Sequence, residues 1–82
     1  MTKKRAKFLA QSLEKKFGGH AEFEALERAG QYRFAIASTR FKRMGVLKRQ
    51  DKVWEVVNKI LSRDESLDVS MILTFAPSEL TT

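Results

Sequence analysis

Over 82 residues the spacing of apolar side chains changes period three times, and that succession constrains the fold more than any other feature of the chain. Ala6, Leu9, Ala10, Leu13 and Phe17 recur on one helical face, which predicts a first helix from Lys3 to about Phe17. Gly18-Gly19 ends it, because glycine adopts the left-handed conformation that closes a helix. Lys15 and Lys16 in the last turn complement the negative end of the helix dipole. Ala21, Phe23 and Ala25 then alternate with Glu22 and Glu24, predicting a strand over Ala21–Arg28. A second strand, Tyr32–Ser38, sets Tyr32, Phe34 and Ile36 against Arg33, Ala35 and Ala37. The short turn at Ala29-Gly30 makes these two strands an antiparallel hairpin.

Helical spacing returns with Val53, Val56, Val57, Ile60 and Leu61, and Trp54 lies at the edge of that stripe. The second helix is expected to begin near Lys48–Asp51 and to end near Leu61–Arg63, with Asp51 favoured at its start by the dipole. Asp64-Glu65-Ser66 reads as a polar break. Val69–Phe75 is a third strand, with Val69, Met71, Leu73 and Phe75 on one face and Ser70, Ile72 and Thr74 on the other. Pro77 suits the first position of a helical turn over Pro77–Thr81. The order α-β-β-α-β-(α) predicts a single small α+β domain over residues 1–82. Its mixed three-stranded sheet carries both long helices on one face. The opposite face, with Glu22, Glu24, Arg33, Ser70 and Thr74, is expected to stay wet. Residues 1–5 and 81–82 read as frayed ends, Lys3, Lys4, Arg5 and Lys7 being solubilising ahead of any binding role.

Composition narrows the chemistry. The chain has no cysteine, so disulfides, thiolate metal sites and cysteine nucleophiles are excluded. No run approaches the apolar length that crosses a bilayer, and the N-terminus lacks a secretory h-region; a cytoplasmic protein without a membrane partner is expected. His20 is the only histidine, placed in a loop after two glycines with an ordinary pKa, and without partners it makes no metal site. The serines lack a base and orienter, and Glu22 and Glu24 lack a nucleophile, so no enzyme, cofactor or metal is expected. The net charge is +6, which fits solubility and nucleic-acid binding equally.

The charge is unevenly placed. Arg40, Lys42, Arg43, Lys48, Arg49 and Lys52 crowd around Gly45 between the second strand and the second helix. Cations packed this way neutralise phosphates, so these six residues are the candidate nucleic-acid contacts. DNA is expected ahead of RNA, in a regulatory role. The same segment also reads as a solvated loop that caps a helix.

The local pattern resembles one family. Ser38, Arg40-Phe41, a glycine-bearing loop, then Leu47-Lys48-Arg49 entering an aliphatic helix is similar to the S-x-x-F…(V/L)-x-R-H segment of the BolA family. Thr74-Phe75-Ala76-Pro77-Ser78-Glu79-Leu80 is similar to its T-x-x-P-x-E-W ending, and Leu13-Glu14…Phe17 fits its first helix. The resemblance runs from about Ala6 to Leu80. It implies a type II KH-like fold and a protein-interaction alternative, in which the chain is an adaptor for a monothiol glutaredoxin or another iron–sulfur trafficking protein. The family's cluster ligands are not matched. Gln50 stands in place of the helix histidine, Asp68 or a neighbour in place of the histidine at the third strand, and the hairpin loop Glu27–Gln31 has neither Cys nor His. The G-x-x-G clamp of KH domains is also absent.

Overall fold

The computed structural model of the chain describes residues 1–80. Its elements are α1 (Lys3–Phe17), β1 (His20–Ala25), β2 (Tyr32–Ala37), α2 (Val46–Ile60), α3 (Arg63–Ser66) and β3 (Val69–Phe75), with 3₁₀ turns at Thr39–Phe41 and Pro77–Glu79. The sheet order is β1-β2-β3, with β1 antiparallel and β3 parallel to β2. The parallel pair requires a crossover, and α2 supplies it. Both long helices cover one face of the sheet. Leu9, Leu13, Phe34, Ile36, Phe41, Val53 and Val57 are almost wholly enclosed between the layers.

The helix and strand order follows the apolar periods, but several boundaries move. β1 stops at Ala25 rather than Arg28, because Leu26 donates its N–H to Gln31 O (2.9 Å) and closes the hairpin loop early. α2 starts at Val46, several residues before the apolar stripe begins. Val46 and Leu47 face solvent, so no hydrophobic spacing marks the first turn. Asp51 consequently lies in the second turn, and Gly45 is the N-cap without a side-chain cap. The polar break is a short helix, α3, nucleated by a capping box. Ser62 Oγ accepts from Glu65 N (3.1 Å) and Glu65 accepts from Ser62 N (2.9 Å). The N-terminus is held rather than frayed: the Met1 ammonium pairs with Asp68, Thr2 caps α1, and Arg5 binds Glu65 (2.9 Å) and Ile60 O (3.0 Å). The expected final turn is a 3₁₀ turn ending at Glu79, and its Thr81 end lies outside the described residues.

β3 shows the largest difference. Its partners on β2 run Tyr32↔Val69, then Arg33↔Met71, so Ser70 is an extra residue, a bulge. Beyond it the strand's faces exchange. Ile72 points into the core at 3 % exposure, while Met71 and Leu73 join Arg33, Ala35, Glu22 and Glu24 on the uncovered face. That face is therefore half apolar. Phe75 O accepts from Ser38 N (2.9 Å), so it points toward β2. Carbonyls alternate along a strand, which turns Ile72 O and Thr74 O toward the outer edge. There they accept from Gln50 Nε2 (2.7 Å) and Arg49 Nη1 (3.4 Å) on α2.

Candidate polyanion-binding surface

The segment that joins β2 to α2 begins by closing the end of α1. A helix leaves its last carbonyls without partners. Here two side chains reach them: Ser38 Oγ donates to Phe17 O (2.7 Å) and Arg40 Nη1 donates to Lys16 O (2.8 Å). Ser38 is 1 % exposed and also accepts from Arg40 N (3.2 Å), capping the 3₁₀ turn. That turn drives Phe41 into the core against Phe17, ring centroids 5.4 Å apart. Gly19, at φ +78°, passes so close to Ala37 O that a β-carbon would collide with it. The chain can thus run from helix end into β1 only with glycine at that position.

Arg49 does not belong to the candidate surface. It is 5 % exposed, and its guanidinium makes a two-pronged pair with Glu79 (2.7 and 2.8 Å) while Nε donates to Met44 O (2.9 Å). The Phe41 ring lies 5.9 Å from its central carbon. Glu79 Oε1 also accepts from Ala76 N (2.8 Å). The Arg49 hydrogen bonds, followed by that backbone bond, pull the Glu79 carboxyl down to about 2. The arginine and the P-x-E ending are therefore one device, a clamp that fixes the last turn against the start of α2. The clue was in the spacing: 49, 53 and 57 share one helical face, and all three are buried.

The remaining candidates are solvent-facing. Lys42, Arg43, Lys48 and Lys52 are exposed, and among the described residues none makes an ion pair. Arg40 is exposed while anchored through one nitrogen at the end of α1. Two lysines outside the basic segment join them. Lys59 follows Lys48 and Lys52 on the same face of α2, at a spacing that returns to one stripe. Lys16, Lys52 and Lys59 line a groove of about 430 Å³ between α1 and α2, floored by Phe17, Val56 and Ile60. Its one carboxylate, Glu55, lies 3.7 Å from Lys59. The signal for Lys59 was its position on the α2 stripe; nothing local marks Lys16, which arrives through the packing of α1.

Other candidates resolve as follows. His20 is the first residue of β1, not a loop residue, and its two ring nitrogens face Glu22 (2.9 Å) and Glu14 (3.2 Å). The hydrogen bond to Glu22 chiefly, with Glu14 adding to it, raises its pKa above the ordinary imidazole value. The carboxylates on either side favour the imidazolium form relative to a free imidazole and occupy both ring nitrogens. Glu24 pairs with Arg33. Trp54, at the edge of the α2 stripe, is half-buried and donates to Gln50 Oε1 (3.2 Å).

The positions where the resemblance implies cluster ligands do not fit an iron–sulfur group. Gln50 is committed to Ile72 O and Trp54. Asp68 is engaged by the Met1 ammonium and by Gln31 Nε2 (3.2 Å). Among the described residues no three histidine or carboxylate side chains are disposed to share a metal ion. No helix is long and apolar enough to cross a membrane.

No known protein-family model matches this chain. No curated protein matches it in sequence. In structure it is similar to BolA1 from Arabidopsis thaliana, with a TM-score of 0.68 over 92% of this chain and 94% of that one, at 19% sequence identity. The order of elements, the mixed sheet and the motifs closing α1 and α2 thus make up a BolA-like fold.

Proposed function

We propose that this BolA-like domain acts by binding, not catalysis, and that its ligand is nucleic acid held through phosphates, in a regulatory role. The observation that carries the reading is the exposed stripe Lys48, Lys52 and Lys59 beside Lys16, with Arg40 at its end and Lys42 and Arg43 on the adjoining loop. Cations held on rigid helices release counterions from a phosphate backbone with little ordering of their own. Contacts of this kind position a protein without reading bases, so little sequence dependence is expected. DNA remains the expected class ahead of RNA.

Fluorescence anisotropy with labelled duplex DNA and single-stranded RNA across a salt series tests this. Each of Lys48→Ala, Lys52→Ala and Lys59→Ala should weaken binding and reduce the salt slope by about one unit for duplex DNA. Arg49→Met should leave the slope alone at temperatures where the fold persists. An unchanged slope in a triple variant of the stripe lysines would rule out this surface.

A second reading is favoured by the bulge at Ser70, which leaves Met71 and Leu73 uncovered on the open sheet face. An adaptor docking a monothiol glutaredoxin or another iron–sulfur trafficking protein would cover such a face. The contact would be protein to protein, without a bridged cluster. Pull-down with and without reconstituted cluster checks it, and no complex in either case counts against it.

A further inference from the structure

The most exposed pair of adjacent hydrophobic residues in the described chain has no part in phosphate binding. At the apex between the 3₁₀ turn and α2, Val46 is 68 % and Leu47 81 % exposed, adjacent to each other and outside the core. A β-carbon on Gly45 beside them would meet open space. Exposed Lys42, Arg43 and Lys48 flank the pair along the chain, and no acidic residue occurs between Thr39 and Gln50. The apex is also held firmly. Arg49, the next residue but one after Leu47, is pinned by Glu79 and Met44 O, so the first turn of α2 is presented without a flexible stem.

We propose that this apex attaches the protein to anionic bilayer surfaces. Val46 and Leu47 enter the acyl boundary, and Lys42, Arg43 and Lys48 lie at the headgroup phosphates. Two aliphatic side chains collared by cations match a bilayer's layering, in which apolar chains lie directly beneath anionic groups. A nucleic-acid backbone offers the charge but no aliphatic layer. The apex residues Gly45, Val46 and Leu47 have neither an aromatic ring to stack on a base nor a side-chain donor to read one. A spanning helix is not required for this mode of attachment. The inference does not rest on the nucleic-acid reading, although the two share cations.

The test is co-sedimentation of the full chain with phosphatidylcholine vesicles, with and without phosphatidylserine, alongside anisotropy with duplex DNA and single-stranded RNA. Val46→Ser with Leu47→Ser removes the aliphatic pair; Lys42→Ala with Arg43→Ala removes part of the collar. Both pairs are exposed, and thermal melts will verify that each variant folds. Binding only to the phosphatidylserine vesicles, weakened about tenfold or more by either variant, is the expected result. Three results would overturn the proposal: no vesicle binding, binding insensitive to the Val46/Leu47 variant, or loss of nucleic-acid binding in that variant while vesicles are ignored. Nucleic-acid binding without vesicle binding defeats this inference and leaves the function above standing. Vesicle binding alone does the reverse.

Discussion

Replacing Ser38 with alanine tests whether the S-x-x-F segment is a structural joint. The side chain is 1 % exposed, and its hydroxyl serves two groups at once. It donates to Phe17 O at 2.7 Å and accepts from Arg40 N at 3.2 Å. In Ser38→Ala the Phe17 carbonyl, buried at the end of α1, loses its donor, which costs about 1–3 kcal/mol. Loss of the cap on the 3₁₀ turn adds roughly 0.5–1 kcal/mol, the low end for such caps because Arg40 is near solvent. The total is about 1.5–4 kcal/mol. For a domain of this size that corresponds to a fall in Tm of roughly 6–30 °C. Urea and thermal unfolding of Ser38→Ala, with exposed Thr39→Ala as the control expected within about 0.5 kcal/mol, measure it. A loss below about 0.5 kcal/mol in Ser38→Ala would refute the reasoning, since a buried carbonyl cannot lose its only side-chain donor so cheaply.

Gly19→Ala should be far more damaging than Gly18→Ala in the same melts. Both positions have positive φ, but only Gly19 lies against Ala37 O, whereas Gly18 has open space. Gly18 sits at φ 72° and ψ −179°, a region essentially reserved for glycine, so Gly18→Ala should cost about 1–3 kcal/mol from the backbone alone. The Glu79 carboxyl, depressed to about 2 by Arg49, contributes stability that is present above its unfolded value near 4.5 and disappears as pH falls toward 2. Acid unfolding of Glu79→Gln should therefore lose part of its pH dependence in that window, the rest staying with Glu65, whose carboxyl Ser62 N–H and Arg5 also hold below its ordinary value; an unchanged acid limb would show that the clamp does not contribute to it. His20 has a raised pKa, so its contribution is present below pH 6.5 and lost as pH rises through the folded value. Its NMR titration midpoint should fall further in Glu22→Gln than in Glu14→Gln, and the reverse order would contradict the hydrogen-bond assignment.

Much of the fold was legible because apolar spacing reports directly on which residues face a core. α1, β2 and the span of β3 emerge with their expected ends, or within one residue of them. The errors lie where apolar spacing stops reporting on the core: at a buried cation, at a bulge and at a solvent-facing turn. Arg49 occupies a core position that hydrophobic spacing assigns to an aliphatic residue, and a cation amid cations read as a ligand contact. The bulge at Ser70 has no compositional mark, so perfect alternation placed Ile72 on the wrong face and hid the apolar half of the open sheet. α2 began unseen because its first turn faces solvent. For the site, the exposed cations were legible from their crowding. Lys16 was not, because its place depends on how α1 packs beside α2.

The hydrogen bonds from Gln50 and Arg49 to the outer carbonyls of β3 have a consequence for life at high concentration. An edge strand with free backbone acceptors is a template onto which another chain can add, the first step toward swapped dimers and fibrils. Here two of those acceptors are occupied by side chains of the crossover helix, and on the opposite edge Glu14 takes up the N–H of Ala21 (2.8 Å). Both borders of a sheet only three strands wide are thus partly blocked from within the chain. Gln50→Leu would free Ile72 O and also strip the Trp54 indole N–H of its acceptor, opening part of that edge to a neighbouring chain while Arg49 still holds Thr74 O.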